Sequence, residues 1–332
     1  MLIPKVTVLM SVFNEQTYLR AAIESILGQT FSDFEFLIID DGSEEPIEDI
    51  ISNFKDSRIR SFRQENMGLA RSLNKGLQLA EGNYVARMDA DDVCRPDRLE
   101  LQIRETAAHP QIDLLGSFFD IVDENGDLIE TKEIFGDPIY RLWRLQFHNN
   151  YGHGTVILKK RSVMDAGMYD ERLLYAQDYD LWSRISRKEN TGIIPEVLYH
   201  YRLVQQSGQA SVRNYDAQLA AAVSISNRNL QACNPSLSEA ECVELRALYW
   251  KFQIEGVTVK GVKALPATLE GFFRRYGINS VDQRILAGSV KQDAIAEVEK
   301  SKLIPNDEKH STVDELEGLL GPFRNRCRNH KS

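Results

Sequence analysis

Apolar and polar positions come in alternating blocks along the first hundred residues. KVTVLMSV (residues 5–12) and EFLIID (35–40) are short apolar runs that stop at polar clusters, as buried strands do. Residues 15–29 set Leu19, Ile23, Ile26 and Leu27 at helical spacing, and residues 68–82 set Leu69, Leu73 and Leu77 on one helix face. IEDIISNF (47–54) predicts a short helix, RIRSFRQ (58–64) a short strand and NYVARM (83–88) a further strand. Strands and helices alternating at these lengths predict an α/β fold, a mostly parallel sheet covered on both faces. Ligands of such sheets bind beyond the carboxyl ends of the strands. FNE after the first strand, DDGS after the second and DADD after the fourth all fall at such ends. The periodicity alone therefore predicts a pocket on one rim.

The pattern changes further along. Residues 112–134 read as two strands around Asn125-Gly126, a strong hairpin signal. GTVILKK (154–160), RSVMDAGMYDERL (161–173) and QDYDLWSRISRK (177–188) give strand, helix, loop and helix, and residues 192–203 a last strand. From about Asn214 the pattern is helical, with candidate helices over 215–232, 238–254, 266–277 and 290–302. This divides the chain into an α/β domain, 1–213 (with halves 1–105 and 106–213), and a C-terminal helical region, 214–332.

Bulk numbers narrow the classes. A chain of 332 residues suggests two domains, and 42% hydrophobic residues are enough for a real core. The net charge of −9 argues against nucleic acid as the main partner. The N-terminus enters a strand pattern directly, without the order of a signal peptide. No run of 18 apolar residues marks a membrane span. Cys94, Cys233, Cys242 and Cys327 lack CxxC spacing and read as reduced thiols. Together these predict a cytoplasmic protein. The basic tail (Arg324, Arg326, Arg328, Lys331) offers a contact to the inner membrane face, against the simpler reading of a solvated terminus.

The chemistry concentrates in MDADDVCRPDRL (88–99), where Asp89, Asp91 and Asp92 crowd a strand end. Carboxylates this close raise one another's pKa, so a cation, a proton or a turn must accommodate them. Carboxylate oxygens suit Mg²⁺ or Mn²⁺, which are commonly held by one or two carboxylates plus substrate phosphates. Turn and helix-cap roles explain Asp92 and Asp97, with Pro96 beside the next helix. They do not explain Asp89 and Asp91. In QDYDLW, Asp178 and Asp180 stand two apart, so on one helix they face different ways and have different tasks.

VTVLMSVFNE, ILGQTFSDFEFLIIDDGS, NMGLARSLNKGLQLAEGNYVARMDADD, PDRL, HGTVILKK, DAGMYDERL, AQDYDLWSR and PEVLYHYR resemble, in order and spacing, glycosyltransferase family 2, the inverting nucleotide-sugar enzymes of the GT-A fold. The resemblance spans about residues 6–211. It implies that Ser11 and Phe13 touch the nucleoside, with Phe13 near the base, and that Glu15 opens the first helix beside it. Asp41 would accept from a uracil imide, Arg71 would meet the diphosphate, and Asp89 with Ala90 would line the ribose. Asp91 would bind the metal, Mn²⁺ or Mg²⁺, and Asp178 would be the general base. Several of these have a plainer alternative: core packing for Phe13, a helix-dipole partner for Glu15, a turn for Asp41, a solvated charge for Arg71 and an N-cap for Asp178.

Two positions depart from the family's pattern. Gln177 replaces the usual Glu before the base, which keeps hydrogen bonding and lowers the pKa of Asp178 relative to an acidic pair. Val204 stands where many relatives carry a His that completes the metal site. His153 matches a position near the acceptor pocket, and His200 reads as a strand residue facing away. The resemblance implies a reaction that moves a sugar from a nucleotide sugar, with uracil as the base that Asp41 would read, to a saccharide or lipid-linked acceptor. The helical region would shape acceptor choice, membrane contact or self-association. The rival functions are an aspartate-nucleophile phosphotransferase and a catalytically silent nucleotide-binding module. No GxGxxG follows the first strand, which disfavours a nicotinamide dehydrogenase.

Overall fold

A computed structural model of the chain describes residues 4–187, 190–204, 214–249 and 257–319. The basic tail, Cys327 and residues 250–254 of the candidate helix 238–254 lie outside them. Strands β1 (Val6–Val12), β2 (Phe34–Asp40), β3 (Ile59–Arg63) and β4 (Tyr84–Met88) pair in parallel in the order β3-β2-β1-β4. The sheet continues through β8 (Ile157–Lys159), β6 (Ile112–Val122), β9 (Asn190–Arg202) and β5 (Val93–Cys94), with β7 (Leu128–Lys132) hairpinned onto β6. The Asn125-Gly126 turn closes that hairpin, with Gly126 at φ 94°.

Helices cover both faces. Val6, Val8 and Met10 pack in one cluster with Leu19, Ile23 and Ile26 of α1 (Leu19–Leu27). Leu9 faces the other way, against Gly76 of α3 (Leu69–Leu79), where an added Cβ would collide with it. This alternation is what a strand buried on both sides requires. The remaining helices of this part are α2 (Glu48–Ile51), α4 (Arg98–Ala108), α6 (Lys160–Asp165) and α7 (Gln177–Ile185).

The described chain divides into two compact units, 1–135 with 150–221, and 136–149 with 222–332. The second unit contains α5 (Pro138–Arg144), α9 (Glu239–Arg246), α10 (Val259–Tyr276), α11 (Ser280–Lys300) and α12 (Asn306–Leu319); α8 (Tyr215–Cys233) runs across the boundary. Helix α10 begins at Val259 and contains Pro266, where the pattern places a helix start. Helices α5 and α12 are not anticipated by the pattern, although Asp137-Pro138 is an N-cap followed by Pro at the first helical position.

Trp143 centres this unit's core. It is fully buried, its ring lies edge-on to Phe147 (4.9 Å) and Phe272 (5.2 Å), and its Nε1–H donates to the Tyr249 hydroxyl at 2.9 Å. Trp143→Ala should destabilise the helical unit by about 3–5 kcal/mol. Denaturant unfolding followed by far-ultraviolet dichroism checks this.

Candidate active site

Because β1, β2 and β4 are parallel neighbours, their carboxyl ends form one rim. After β1 the chain turns at Asn14, which is left-handed at φ 53°. Its main-chain N–H donates to Ser43 Oγ (3.0 Å), and its Oδ1 accepts from the Glu44 N–H (2.8 Å), tying this turn to the one after β2. Phe13, just before it, is 51% exposed, which rules out core packing as its role. Ser11 lies one residue before the end of β1 and pairs with Ile39. Glu15 does not open α1, which starts at Leu19; its carboxylate accepts from the Tyr18 N–H at 2.8 Å, ahead of the helix.

Asp41 is buried and takes three N–H donors: Gln64 Nε2 (2.7 Å) and Met67 N (2.9 Å) at Oδ1, and Gly68 N (2.8 Å) at Oδ2. A carboxylate accepts about four, so one place remains for a ligand. Gly42 fits this join, since a Cβ there would lie 2.6 Å from the Asn66 nitrogen. Arg71, on the first turns of α3, is half-exposed and 3.3 Å from Glu171.

The DADD segment rests on buried cations and phenols. Arg87, inside β4, is buried and pairs with Asp89 at 2.5 Å. Burial works against its charge, and Asp89, Tyr169 and Tyr199 together outweigh it, so its pKa is raised. Arg98 is also buried; it donates to the Arg87 and Val156 carbonyls and lies over the Tyr199 ring. Ala90 turns its methyl into the core. The Asp91 carbonyl accepts from Arg202 Nε at 3.0 Å, and Arg202 also stacks over the Tyr18 ring and donates to the carbonyls of Asp123 and Glu124.

Asp92 corrects the turn reading. It is fully buried and accepts from the Tyr199 hydroxyl (2.6 Å) and the Arg202 N–H (2.7 Å). Burial, then Asp91 and Asp89, raise its pKa well above the usual carboxylate range. Asp97 holds the N-cap position of α4 without a capping bond; its carboxylate pairs with Arg95 at 2.5 Å.

The base candidate lies on α7. Asp178 is the second residue of α7, not its N-cap; that position belongs to Ala176, left-handed at φ 55°. Asp178 Oδ1 accepts from the Tyr179 N–H at 2.8 Å, and its side chain is half-buried. Asp180 is buried and pairs with Arg184 at 2.7 Å. Arg184 also donates to the carbonyls of Ala166 and Met168, so Asp180 anchors the loop between α6 and α7. The two acids do face different tasks. Trp182 is core, against His153 and Tyr169.

Tyr169 joins the two ends of the site. Its hydroxyl lies 2.9 Å from His153 Nε2. Burial raises its pKa; the Asp178 and Asp89 carboxylates raise it further, while Arg87 and Arg184 oppose them. Burial, then Arg87, push the His153 pKa well below normal, so it is neutral. Gly154 beside it has no side chain because a Cβ would collide with the Tyr199 hydroxyl. His200 faces Asp120 at 3.4 Å, and Val204 is buried. Arg87, Tyr169 and Tyr199 were not singled out from sequence; the signal for Arg87 was a charge in the middle of an apolar strand.

Among the described residues no three His, Cys, Asp or Glu side chains stand together as a metal cage. The residues fit a hard divalent ion in another way: one rim carboxylate, Asp91, with the other oxygens supplied by substrate phosphates and water.

A Rossmann-like parallel half continued by a mixed half, with acids at the β4 end, is the architecture of a GT-A fold. The glycosyl transferase family 2 model matches residues 7–163. The chain is 36% identical over 217 residues to an uncharacterised glycosyltransferase of Methanocaldococcus jannaschii, covering 63% of this chain and 74% of that protein. It is 32% identical to the O-antigen biosynthesis glycosyltransferase WbnJ of Escherichia coli (63% and 84%) and to the amylovoran biosynthesis glycosyltransferase AmsE of Erwinia amylovora (59% and 75%). The crystal structure of S. aureus TarS 1–349 in complex with UDP-GlcNAc superposes with a TM-score of 0.59 over 96% of this chain and 91% of that one, at 16% identity. The chain belongs to glycosyltransferase family 2 and is a glycosyltransferase. The phosphotransferase alternative is thereby set aside. Among the described residues no helix is long and apolar enough to cross a membrane.

Proposed function

We propose that this chain is an inverting, metal-assisted transferase that moves a sugar from a UDP-sugar to a hydroxyl of a saccharide or lipid-linked acceptor. The observation that carries the reading is the rim at the carboxyl ends of β1, β2 and β4, where exposed Phe13, buried Asp41 and the acids that follow β4 meet. The UDP-GlcNAc of the TarS complex supports the donor class, and the O-antigen and amylovoran relatives support a saccharide acceptor.

In this reading Phe13 stacks on the base, Asp41 offers its remaining acceptor site to the base edge, Asp89 meets the ribose and Arg71 meets the diphosphate. Asp91 would hold the divalent ion. The chemistry such an ion supplies when bound is neutralisation of the charge growing on the departing diphosphate. Asp178 takes the proton of the acceptor hydroxyl as that oxygen bonds to the anomeric carbon and the bond to the diphosphate breaks on the opposite side. One base in line with attack inverts the anomeric centre, the geometry that also governs inverting hydrolases.

A thermal-shift panel of nucleotide sugars, with and without Mn²⁺, tests the reading, because a ligand that binds the native state raises its stability by mass action. The expected result is the largest rise with UDP-sugars plus Mn²⁺. A panel that is flat for every nucleotide sugar would overturn the reading. Phe13→Ala should weaken UDP-sugar binding by about 1–3 kcal/mol, the range for stacking one base on an aromatic ring. Calorimetric titration of the variant checks this, with the Tm of the ligand-free protein expected to stay unchanged.

A further inference from the structure

Asp41 is the carboxylate that the proposed function gives to the base, and its two oxygens are not equivalent. Oδ1 accepts twice, from Gln64 Nε2 (2.7 Å) and from the Met67 N–H (2.9 Å). Oδ2 accepts once, from the Gly68 N–H (2.8 Å). An ionised carboxylate has about two acceptor places on each oxygen. Oδ1 is therefore filled, and the place left for a ligand is on Oδ2.

Two of the three donors are main-chain groups of consecutive residues that lead into α3. The third, Gln64, is a side chain, and the fold holds it from both ends. It follows β3 directly, and its own N–H donates to the Asp40 carbonyl at 2.9 Å, which continues the pairing of β3 with β2. Its Nε2 also donates to Ser72 Oγ (2.8 Å), and Ser72 is fully buried on α3. Both N–H bonds of the amide are thus used, one on Asp41 and one on Ser72. Gln64 Oε1 is buried and has no partner among the described residues. A buried polar atom without a partner is rare enough to need a reason. Here the reason is the neighbour: turning the amide over would set an acceptor against the Asp41 carboxylate.

We propose that Gln64 is a specificity-determining residue for the donor base. By filling Oδ1 it leaves Asp41 one acceptor place, on Oδ2. That place suits a base edge with a single N–H between two carbonyls, the imide of uracil. It does not suit guanine, whose ring N–H and exocyclic amine stand side by side and pair with both oxygens of a carboxylate. The inference rests on the reading that Asp41 meets the base.

Gln64→Leu keeps much of the side-chain volume and empties one place on Oδ1. Each oxygen then has one free place, the arrangement that guanine needs. Calorimetric titration of the full chain with UDP and with GDP, both with Mn²⁺, reads this as a ratio of dissociation constants. Wild type should bind UDP the more tightly. In Gln64→Leu the ratio of the GDP to the UDP Kd should fall about 10-fold, the order of one hydrogen bond to a charged group. Ser72→Ala loosens Gln64 without removing it and should lower the ratio by less, which tests the claim through a second residue if Gln64→Leu folds poorly. A Gln64 that only ties β3 to α3 would weaken both nucleotides alike. An unchanged ratio therefore overturns the proposal, as does a wild-type protein that binds GDP as tightly as UDP. Asp41→Asn, run alongside, keeps the two claims apart. If it leaves UDP affinity at wild type, the base is read elsewhere and the assignment of Asp41 falls. If it weakens UDP while the Gln64→Leu ratio stays at wild type, only the role of Gln64 falls.

Discussion

Asp178→Asn should lower sugar transfer by about 10²–10⁴-fold, the usual contribution of a general base, while donor affinity stays close to wild type. The reason is local. Asn has the shape of Asp, and the Tyr179 N–H that Asp178 Oδ1 accepts is kept by the amide oxygen. The helix start is held by other groups: Asp180 with Arg184, and the left-handed Ala176. What the substitution removes is the ability to accept a proton. Steady-state transfer assays with calorimetric donor titration distinguish the outcomes. If transfer is unchanged, the chain uses another base. If donor binding collapses together with transfer, Asp178 is structural.

Asp91→Asn should affect the metal requirement most. The main chain at Asp91 is fixed independently of its carboxylate, because Arg202 holds its carbonyl and the neighbouring Asp92 is locked by Tyr199 and Arg202. The substitution therefore leaves the turn in place and withdraws one charged oxygen ligand. No cage of His, Cys, Asp or Glu stands among the described residues to compensate. The expected loss in Mn²⁺ affinity exceeds the roughly 10- to 100-fold that follows removal of an outer partner of a metal ligand. Activity titrated against Mn²⁺ checks it. Near-normal transfer at low Mn²⁺ would remove Asp91 from the metal site.

The parallel half of the fold was legible because its strands are buried on both faces and end in polar clusters: β1, β2 and β4 fall where the apolar runs stop. Periodicity fails where tertiary context decides. Pro266 reads as a helix start, yet it lies inside α10, and Glu15 reads as part of α1, yet the helix waits for Leu19. Asp92 is the instructive error. Its place in DADD looks like a turn, and nothing local reveals that Tyr199 and Arg202, more than a hundred residues away, have buried it. Tyr169 was hidden for the same reason: its hydroxyl meets His153 and its backbone is held by Asn74, 95 residues earlier. Phe13 went the other way, since only its exposure separates a base platform from a core residue.

The most direct test of single-base displacement at this site needs no knowledge of the acceptor. Proton NMR can follow the first free sugar released when water stands in as acceptor, using the α-linked UDP-sugar selected by the thermal-shift panel. The β-anomer should appear first and decay by mutarotation. Initial release of the α-anomer would contradict inversion, and with it the role of Asp178 as the sole base.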